Sequence, residues 1–352
     1  MLKSRFSSQP RFRLVRVARG QSRCHVERFI AEPDHHLPPD LSDPDSIVIA
    51  TRASELALWQ ARFVQDQIKN LYPRLNVSLM PMTTQGDRQL QTPLSAIGGK
   101  GLFVKELEEA MTAGTADIAV HSMKDVPMDL PPGFAMAAIM QREDARDAFI
   151  SNRYQNLGEL PAGGCVGTSS LRRASQVRAR HPSLMVEPLR GNVLTRLRKL
   201  DDGQYAAIIL AAAGLARLGL GARIGSLLSI EESLPAVGQG ALGIECLAER
   251  NDLVTLVQPL NHLPSSLCVR AERAMSRALA GNCQVPLGAY AVLHEDRIAM
   301  SGFVASPDGG KLLRADSEGA ASDPETVGAD LARCLRAQGA DAILSLCDAL
   351  SH

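Results

Sequence analysis

The sequence predicts an α/β protein made of two doubly wound lobes and a small C-terminal α+β domain. From Ile47 onward, short apolar runs alternate with segments at helical spacing, and this alternation occurs twice along the chain. Strands that alternate with helices of roughly 10–15 residues are typical of parallel sheets with helices on both faces. From about Leu263 the pattern changes to one helix followed by consecutive strand-like runs. A length of 352 residues agrees with two or three domains.

The first lobe is predicted to begin with a buried strand at 47–50, followed by a helix that Ser54 caps. Residues 86–101, rich in Gly, Thr, Pro, Ser and Gln, have no periodicity and are expected to form a mobile loop. The other predicted elements of this lobe are a strand at 76–82, a helix at 102–113 and a strand at 117–120 that leads into the segment HSMKDVP at 121–127.

The second lobe repeats the alternation, and a strand at 241–246 is expected to return to the first lobe. In the second lobe the predicted strands are 147–151, 165–167, 184–186 and 206–211, and the predicted helices are 171–180 and 193–200. The third domain is predicted to contain helices at 266–280 and 324–338 and strands at 289–293, 297–304 and 312–316. The expected domains are therefore 46–140 with 241–260, 141–240, and 263–352.

Residues 1–45 differ from the rest: up to residue 32, eight basic residues face only Glu27 and Glu32, and a stretch rich in Pro and Asp follows at 38–44. An Arg-rich, acid-poor leader without an apolar core is not a secretory signal, although it is typical of an organelle transit peptide. The preferred interpretation is a disordered leader outside the fold. The expected location is the cytoplasm, with an organelle as the alternative.

The balance of charge restricts the classes of partner. Lys+Arg and Asp+Glu number 38 each, whereas nucleic-acid binding usually needs a basic excess, so no nucleic-acid partner is expected. No apolar run reaches the ~18 residues of a membrane-spanning helix, so no membrane partner is expected either. The seven cysteines show no CxxC pair or metal-ligand spacing, which favours free thiols in a reducing compartment and no metal site.

Arginines recur where predicted strands end and helices begin, as Arg52, Arg172, Arg173 and Arg190 do. Ligands of open α/β sheets bind at the carboxyl ends of strands, and the guanidinium fork binds carboxylates. A lone helical arginine is more often solvated, so it is the recurrence that predicts a ligand with many carboxylates. Two of these arginines follow the segment GTSS at 167–170, where their charge opposes the helix dipole; an anionic ligand there would remove the conflict.

Asp125 and Cys283 are the candidate reactive residues. A carboxylate in a cleft can stabilise a developing cation, although a lone Asp is more often part of a surface turn. Its neighbour Lys124 is a candidate Schiff-base lysine, but nothing local in the sequence predicts a lowered pKa. Cys283 lies in a GNCQ turn, where a buried structural thiol is favoured over a reactive one on residue type alone. The GQGALG match at 238–243 precedes a predicted strand rather than a helix, which argues against a dinucleotide site.

Several segments together resemble the porphobilinogen deaminase (hydroxymethylbilane synthase) family from about Ile47 to the C-terminus. They are HSMKDVP at 121–127, GTSSLRR at 167–173, LRGNVLTR at 189–196, GLAR at 214–217 and GNCQVPLG at 281–288. The resemblance implies two lobes like those of type II solute-binding proteins. It also implies an enzyme that joins four porphobilinogen molecules head to tail with loss of ammonia, on a dipyrromethane cofactor, and then releases hydroxymethylbilane by hydrolysis.

The same resemblance implies roles for individual residues. Cys283 matches the cofactor attachment point and Asp125 the catalytic acid, while Lys100 and Phe103 match the edge of the active-site loop. The positions that match carboxylate-binding or other substrate-binding residues are Arg52, Ser122, Lys124, Thr168, Ser169, Ser170, Arg172, Arg173, Arg190, Arg196, Arg217 and Gln239. Porphobilinogen and the growing oligopyrrole are the expected partners of a monomeric enzyme. The alternative is a two-lobed carboxylate-binding module without catalysis.

Overall fold

The computed structural model describes residues 44–88, 103–279 and 285–349. Most of the predicted leader, as well as Lys100 and Cys283, lies outside the described residues. The predicted loop at 86–101 is described only at its start, where residues 86–88 belong to a short helix. For those three residues the expectation of irregular structure is wrong.

The described strands are β1 (Ser46–Arg52), β2 (Asn76–Met82), β3 (Ile118–Ser122), β4 (Phe134–Ile139), β5 (Asp147–Ile150), β6 (Cys165–Gly167), β7 (Met185–Glu187), β8 (Ala207–Ala211), β9 (Ser226–Leu227), β10 (Leu242–Leu247), β11 (Leu287–His294), β12 (Arg297–Ala305) and β13 (Leu312–Ala320). The described α-helices are α1 (Glu55–Leu71), α2 (Gln85–Arg88), α3 (Lys105–Thr112), α4 (Leu171–Arg180), α5 (Val193–Asp201), α6 (Ala212–Arg217), α7 (Asn251–Val257), α8 (Leu263–Ala278), α9 (Pro324–Ala337) and α10 (Ala340–Ala349). Among them, no helix combines the length and the apolar character needed to span a membrane.

The first sheet has the strand order β2-β1-β3-β10-β4. β1 is parallel to β2 and β3, as predicted, whereas β10 is antiparallel to β3 and β4. β10 is the strand that was predicted to return to the first lobe, and its place in this sheet confirms that prediction. The expectation of purely parallel strands is wrong because the returning chain enters the sheet from the opposite end.

The second sheet follows the same plan, with the order β7-β6-β8-β5-β9. β6 is parallel to β7 and β8, and β5 is antiparallel to β8 and β9. Asp147, the first residue of β5, pairs with Ala211, the last residue of β8. An acidic residue therefore lies at the edge where the parallel strands end, beside the start of α4.

Helix α1 shows how the local sequence fixes the first lobe. The Ser54 hydroxyl accepts a hydrogen bond from the Ala57 amide, which confirms the predicted N-cap. Along one face, Ala61, Val64 and Ile68 are fully buried and pack against the inner residues of β1. The apolar spacing that predicted the helix is thus the spacing that covers the sheet.

The third domain consists of the antiparallel sheet β11-β12-β13, covered by α8 and α9. Its core includes Met275, Leu331 and Leu335, each 0% exposed. The strands are longer than predicted, and β13 runs to Ala320. Helix α10 was not predicted. Separate apolar clusters lie against each of the three sheets, so the predicted α/β class with two lobes and a small C-terminal domain is confirmed.

Candidate active site

The acid loop, residues 123–126, holds an exposed carboxylate between two buried anchors. β3 ends at Ser122, and Met123–Asp125 form one 3-10 turn. Met123 and Val126 are each 1% exposed, whereas Asp125 between them is exposed. The Val126 amide donates to the Met123 carbonyl at 3.3 Å, which closes the turn. Asp125 is therefore presented on a backbone that its neighbours fix in place.

The backbone of Gly238 packs closely against Met123 of the acid loop. Its φ is +70°, and an added Cβ would lie 2.8 Å from the Met123 Cβ. Its amide donates to Glu272 Oε2 at 2.8 Å. The segment at 238–243 leads into β10 rather than into a helix, as predicted. Gly238 and Gly243 both lie close to Met123 of the acid loop, whereas Gly240 lies close to the Glu143 carbonyl.

Asp147 is the centre of a fully buried charge network at the start of α4. Its side chain is 0% exposed and forms ion pairs with Arg172 at 2.7 Å and with Arg173 at 2.8 Å. Ser233 Oγ donates to it at 2.8 Å and Gln239 Nε2 at 3.0 Å. Burial opposes ionisation, but the two guanidinium groups outweigh it and hold the pKa of Asp147 well below its usual range.

This network changes the interpretation of the two arginines on α4. The conflict between their charge and the helix dipole was expected to require an anionic ligand, yet Asp147 already supplies the anion. Arg172 also donates a hydrogen bond to the Leu234 carbonyl, and Arg173 donates one to the Ile209 carbonyl. Gln239, also predicted to bind ligand, is 1% exposed and belongs to the same network. Their roles toward a ligand remain predictions.

A second group of cations lies close to the acid loop. Burial, followed by repulsion from Arg173 and Arg190, lowers the pKa of Arg196 to about 10, while Asp125 acts in the opposite direction. Burial also lowers the pKa of Lys124 to about 8, although Asp125 partly offsets this. No local feature of the sequence predicted this lowered pKa, because the desolvation of Lys124 depends on the fold. Asp125 therefore lies near cations whose pKa values are lowered by burial.

The remaining predicted residues of the first lobe lie near β1 and β3. The Arg52 guanidinium carbon lies 4.1 Å from the centre of the Phe103 ring, within the range of a cation–π contact. Ser122 Oγ accepts a hydrogen bond from Gln60 Nε2 at 2.9 Å. These contacts bring the predicted edge of the active-site loop, at Phe103, to a predicted carboxylate-binding arginine.

The hydroxyl groups of Thr168 and Ser169, directly after β6, form hydrogen bonds within the protein. Ser169 Oγ donates to the Leu189 carbonyl at 2.9 Å, and the Ser170 amide donates to Thr168 Oγ1 at 3.2 Å. Ser170 occupies the N-cap position of α4 without a side-chain capping bond. The first contact fixes the segment after β7, which carries Arg190, against the segment after β6.

Arg217, at the end of α6, is 8% exposed and lies between the lobes. It donates to the Gly240 carbonyl at 2.7 Å, and its guanidinium carbon lies 6.0 Å from the Trp59 ring centre on α1. Burial lowers its pKa to about 10, and Glu143 partly offsets this. Its described contacts join the lobes, and its predicted role toward a ligand remains a prediction.

Beneath the acid loop lies a buried titratable cluster that the sequence interpretation missed. His121 Nε2 lies 2.7 Å from Glu245 Oε2, and both side chains are almost completely buried. Glu108 on α3 is 8% exposed, and burial, with Glu245 next, raises its pKa to about 6. The available signal was an acid inside the apolar run of β10, since a buried carboxylate needs a partner.

Fold and site together define a two-lobed α/β protein whose acid loop presents an exposed carboxylate near buried cations. The sequence profile described as the dipyromethane cofactor binding domain of porphobilinogen deaminase matches residues 47–255, and the profile of its C-terminal domain matches residues 266–337. The chain therefore belongs to the porphobilinogen deaminase family.

Curated relatives cover nearly the whole chain. The porphobilinogen deaminase of Methylobacillus flagellatus is 61% identical over 89% of this chain and 100% of its own length. The porphobilinogen deaminase of Thiobacillus denitrificans is 60% identical over 85% of this chain and 98% of its own length. Both alignments agree with the family profiles.

Solved structures resemble the chain more distantly. The methionine-binding protein MetQ aligns with a TM-score of 0.40 and 17% identity over 62% of this chain and 89% of its own. A nutrient-binding protein from Burkholderia cenocepacia bound to methionine aligns with a TM-score of 0.39 and 13% identity over 60% of this chain and 89% of its own. Neither likeness says anything about what this chain binds.

Proposed function

We propose that the chain acts as a porphobilinogen deaminase, a transferase. It joins four porphobilinogen molecules head to tail, loses one ammonia at each step and releases hydroxymethylbilane by hydrolysis. The observation that carries this proposal is the exposed carboxylate of Asp125 among cations whose pKa values are lowered, Lys124 and Arg196. A ligand with several carboxylates would neutralise these cations, and the single acid would remain to act on the reacting centre.

The residues fit a covalently held dipyrromethane, which Cys283 would attach through a thioether. When bound, this group supplies the pyrrole carbon to which the first porphobilinogen is joined. Its carboxylates suit Arg190 and Arg196, because burial lowers the pKa of both guanidinium groups. Arg52, beside Phe103, would hold carboxylates on the side of the first lobe.

Asp125 would act directly on porphobilinogen. A carboxylate accepts hydrogen bonds from pyrrole N–H groups and stabilises the positive charge that develops as ammonia leaves. The buried anchors Met123 and Val126 fix its position, so little reorganisation is needed when the charge appears. Lys124 lies next to Asp125 in the chain, and its lowered pKa of about 8 makes it a donor or acceptor of protons near neutral pH.

The same proposal includes the organisation of the chain. The domain bounds 46–140 with 241–260, 141–240, and 263–352 are supported by one sheet within each domain. A monomer in the cytoplasm is expected from the family. Thr168, Ser169 and Gln239 would support the arginines rather than carry the chemistry, because their side chains bond to the protein. Ser170 would bind ligand with its hydroxyl at the start of α4.

The first test is the intact mass of the purified protein beside that of Cys283→Ser. We expect the wild type to exceed its sequence mass by two pyrrole units and the variant to match its sequence mass. A wild type without added mass, even after incubation with porphobilinogen, would contradict the proposed function.

The second test is Asp125→Asn, with Asp66→Asn, an exposed acid on α1, as the matched control. We expect the first variant to keep the covalent adduct and to lose turnover by a factor of about 10²–10⁴, the usual loss for a positioned acid–base group. The control should retain the wild-type rate. Equal rates for both variants would exclude Asp125 from the chemistry.

A further inference from the structure

Helix α8 is hydrogen-bonded to the main chain directly after the acid loop. Arg273 on this helix is 8% exposed, and its guanidinium donates hydrogen bonds to three successive backbone carbonyls at 126–128. The distances are 3.3 Å to Val126, 2.5 Å to Pro127 and 3.0 Å to Met128. These are the residues that follow Asp125. One side chain therefore fixes the direction in which the backbone leaves the acid loop.

The burial of this cation has an energetic cost that its partners only partly offset. Within residues 44–88, 103–279 and 285–349, no acidic side chain forms an ion pair with Arg273. Burial, followed by repulsion from Arg277, lowers its pKa to about 10, while Asp129 and Glu245 act in the opposite direction. An apolar side chain would fill such a site at a lower desolvation cost. The charge is therefore used for geometry, because a planar fork can hold three carbonyls in a fixed arrangement.

A second arginine one turn further along α8 reinforces the contact. Arg277 donates to the Met128 carbonyl at 3.2 Å and forms an ion pair with Asp129 at 2.8 Å. Residues four apart lie on the same helix face, so both arginines hold the segment 126–129 against one stripe of α8. This stripe is one of the contacts between the third domain and the first lobe, and it lies directly after the acid loop.

We propose that Arg273 is a positioning residue that couples helix α8 to the catalytic acid. Helix α8 ends at Ala278, and Cys283 follows five residues later in the sequence. Because Arg273 ties this helix to the backbone after Asp125, it sets the position of the acid relative to the element that leads to the attachment point. The inference rests on the proposed function and assigns to Arg273 no contact with substrate.

The test compares Arg273→Met and Arg273→Lys with Arg270→Met, an exposed arginine of the same helix that pairs with Glu325. We expect both Arg273 variants to carry the full covalent adduct by intact mass. Their KM for porphobilinogen should change less than about twofold, whereas kcat should fall about 10²-fold, since small misplacements of a catalytic group have effects of this size. Lysine keeps the charge but lacks the fork, so Arg273→Lys should recover only part of kcat.

Amide hydrogen exchange gives a readout that does not depend on activity. In the Arg273 variants, exchange should accelerate at residues 123–129 and stay unchanged in β1. Unchanged kcat and unchanged exchange in a folded variant would overturn the proposal. A fall in kcat that only matches a loss of adduct would also overturn it, because the residue would then serve loading or folding. A wild type that carries the adduct and turns over separates either result from a failure of the proposed function.

Discussion

The replacement Asp147→Asn tests the buried charge network most directly. Asparagine keeps the size of the side chain but removes the anion that pairs with Arg172 and Arg173. Both guanidinium groups would remain buried, since they are only 5% and 6% exposed. Removal of one partner from a buried ion pair costs about 3–5 kcal/mol. Because native proteins are stable by roughly 5–15 kcal/mol, we expect the free energy of unfolding to fall by about a fifth or more.

The assay is urea unfolding at pH 7, with Asp144→Asn as the matched control. Asp144 pairs with Arg146 at 2.7 Å, but both side chains are substantially exposed, at 36% and 42%. Exposed pairs contribute about 0.2–1 kcal/mol, so the control should unfold almost like the wild type. A loss for Asp147→Asn within about 1 kcal/mol of the control would refute the argument from burial.

The dependence on pH provides a further check of the same reasoning. The pKa of Asp147 lies below its usual range in the folded protein, so its contribution to stability is present above the unfolded pKa of about 4. That contribution is lost as the pH falls through the folded value. The difference between the wild type and Asp147→Asn should therefore shrink below about pH 4, and a constant difference would contradict the assigned pKa direction.

Two other replacements test the support of the acid loop. The raised pKa of Glu108, about 6, means that the wild type loses stability as the pH rises through this value. The stability of Glu108→Gln relative to the wild type should therefore be greater at pH 8 than at pH 4 by about 1 kcal/mol, after allowance for screening. Urea unfolding at both pH values measures this difference, and an equal effect at both would contradict it. Gly238→Ala should lose about 1–2 kcal/mol to its positive φ and should also lower kcat through its contact with Met123. Gly219→Ala, with the same φ of +70° and no atom near the added Cβ, should lose stability alone; a wild-type kcat for Gly238→Ala would show that the contact is not needed.

The sequence pattern was sufficient for elements whose information is local. Alternating apolar runs located most strands, and the strand before HSMKDVP placed Asp125 at a carboxyl end. β4 was missed because Phe134–Ile139 is rich in alanine and has weak strand propensity. It is a strand because β10 pairs with it, and that pairing comes from a distant part of the chain.

The sequence pattern could not predict the buried ion pairs, because their partners also come from distant parts of the chain. Asp147 and Arg172 are 25 positions apart, and Arg142 and Glu272 are 130 positions apart. An acid in an apolar run signals that a partner exists but does not identify it. The arginines on α4 were therefore assigned to a ligand, although the fold supplies Asp147 as well. Desolvation of Lys124 likewise depends on neighbours that only the folded chain provides.

The place of β10 has a consequence for the order in which the protein forms during synthesis. In the first sheet of the described chain, β4 lies at the edge and β10 separates it from β3. While β10 is still in the ribosome, Phe134–Ile139 has no strand to pair with, and the apolar edge of β3 stays uncovered. The second lobe, whose strands all lie between Asp147 and Leu227, is translated completely within that interval. It can therefore reach its native sheet first, and the lobe that begins the chain is the later one to close.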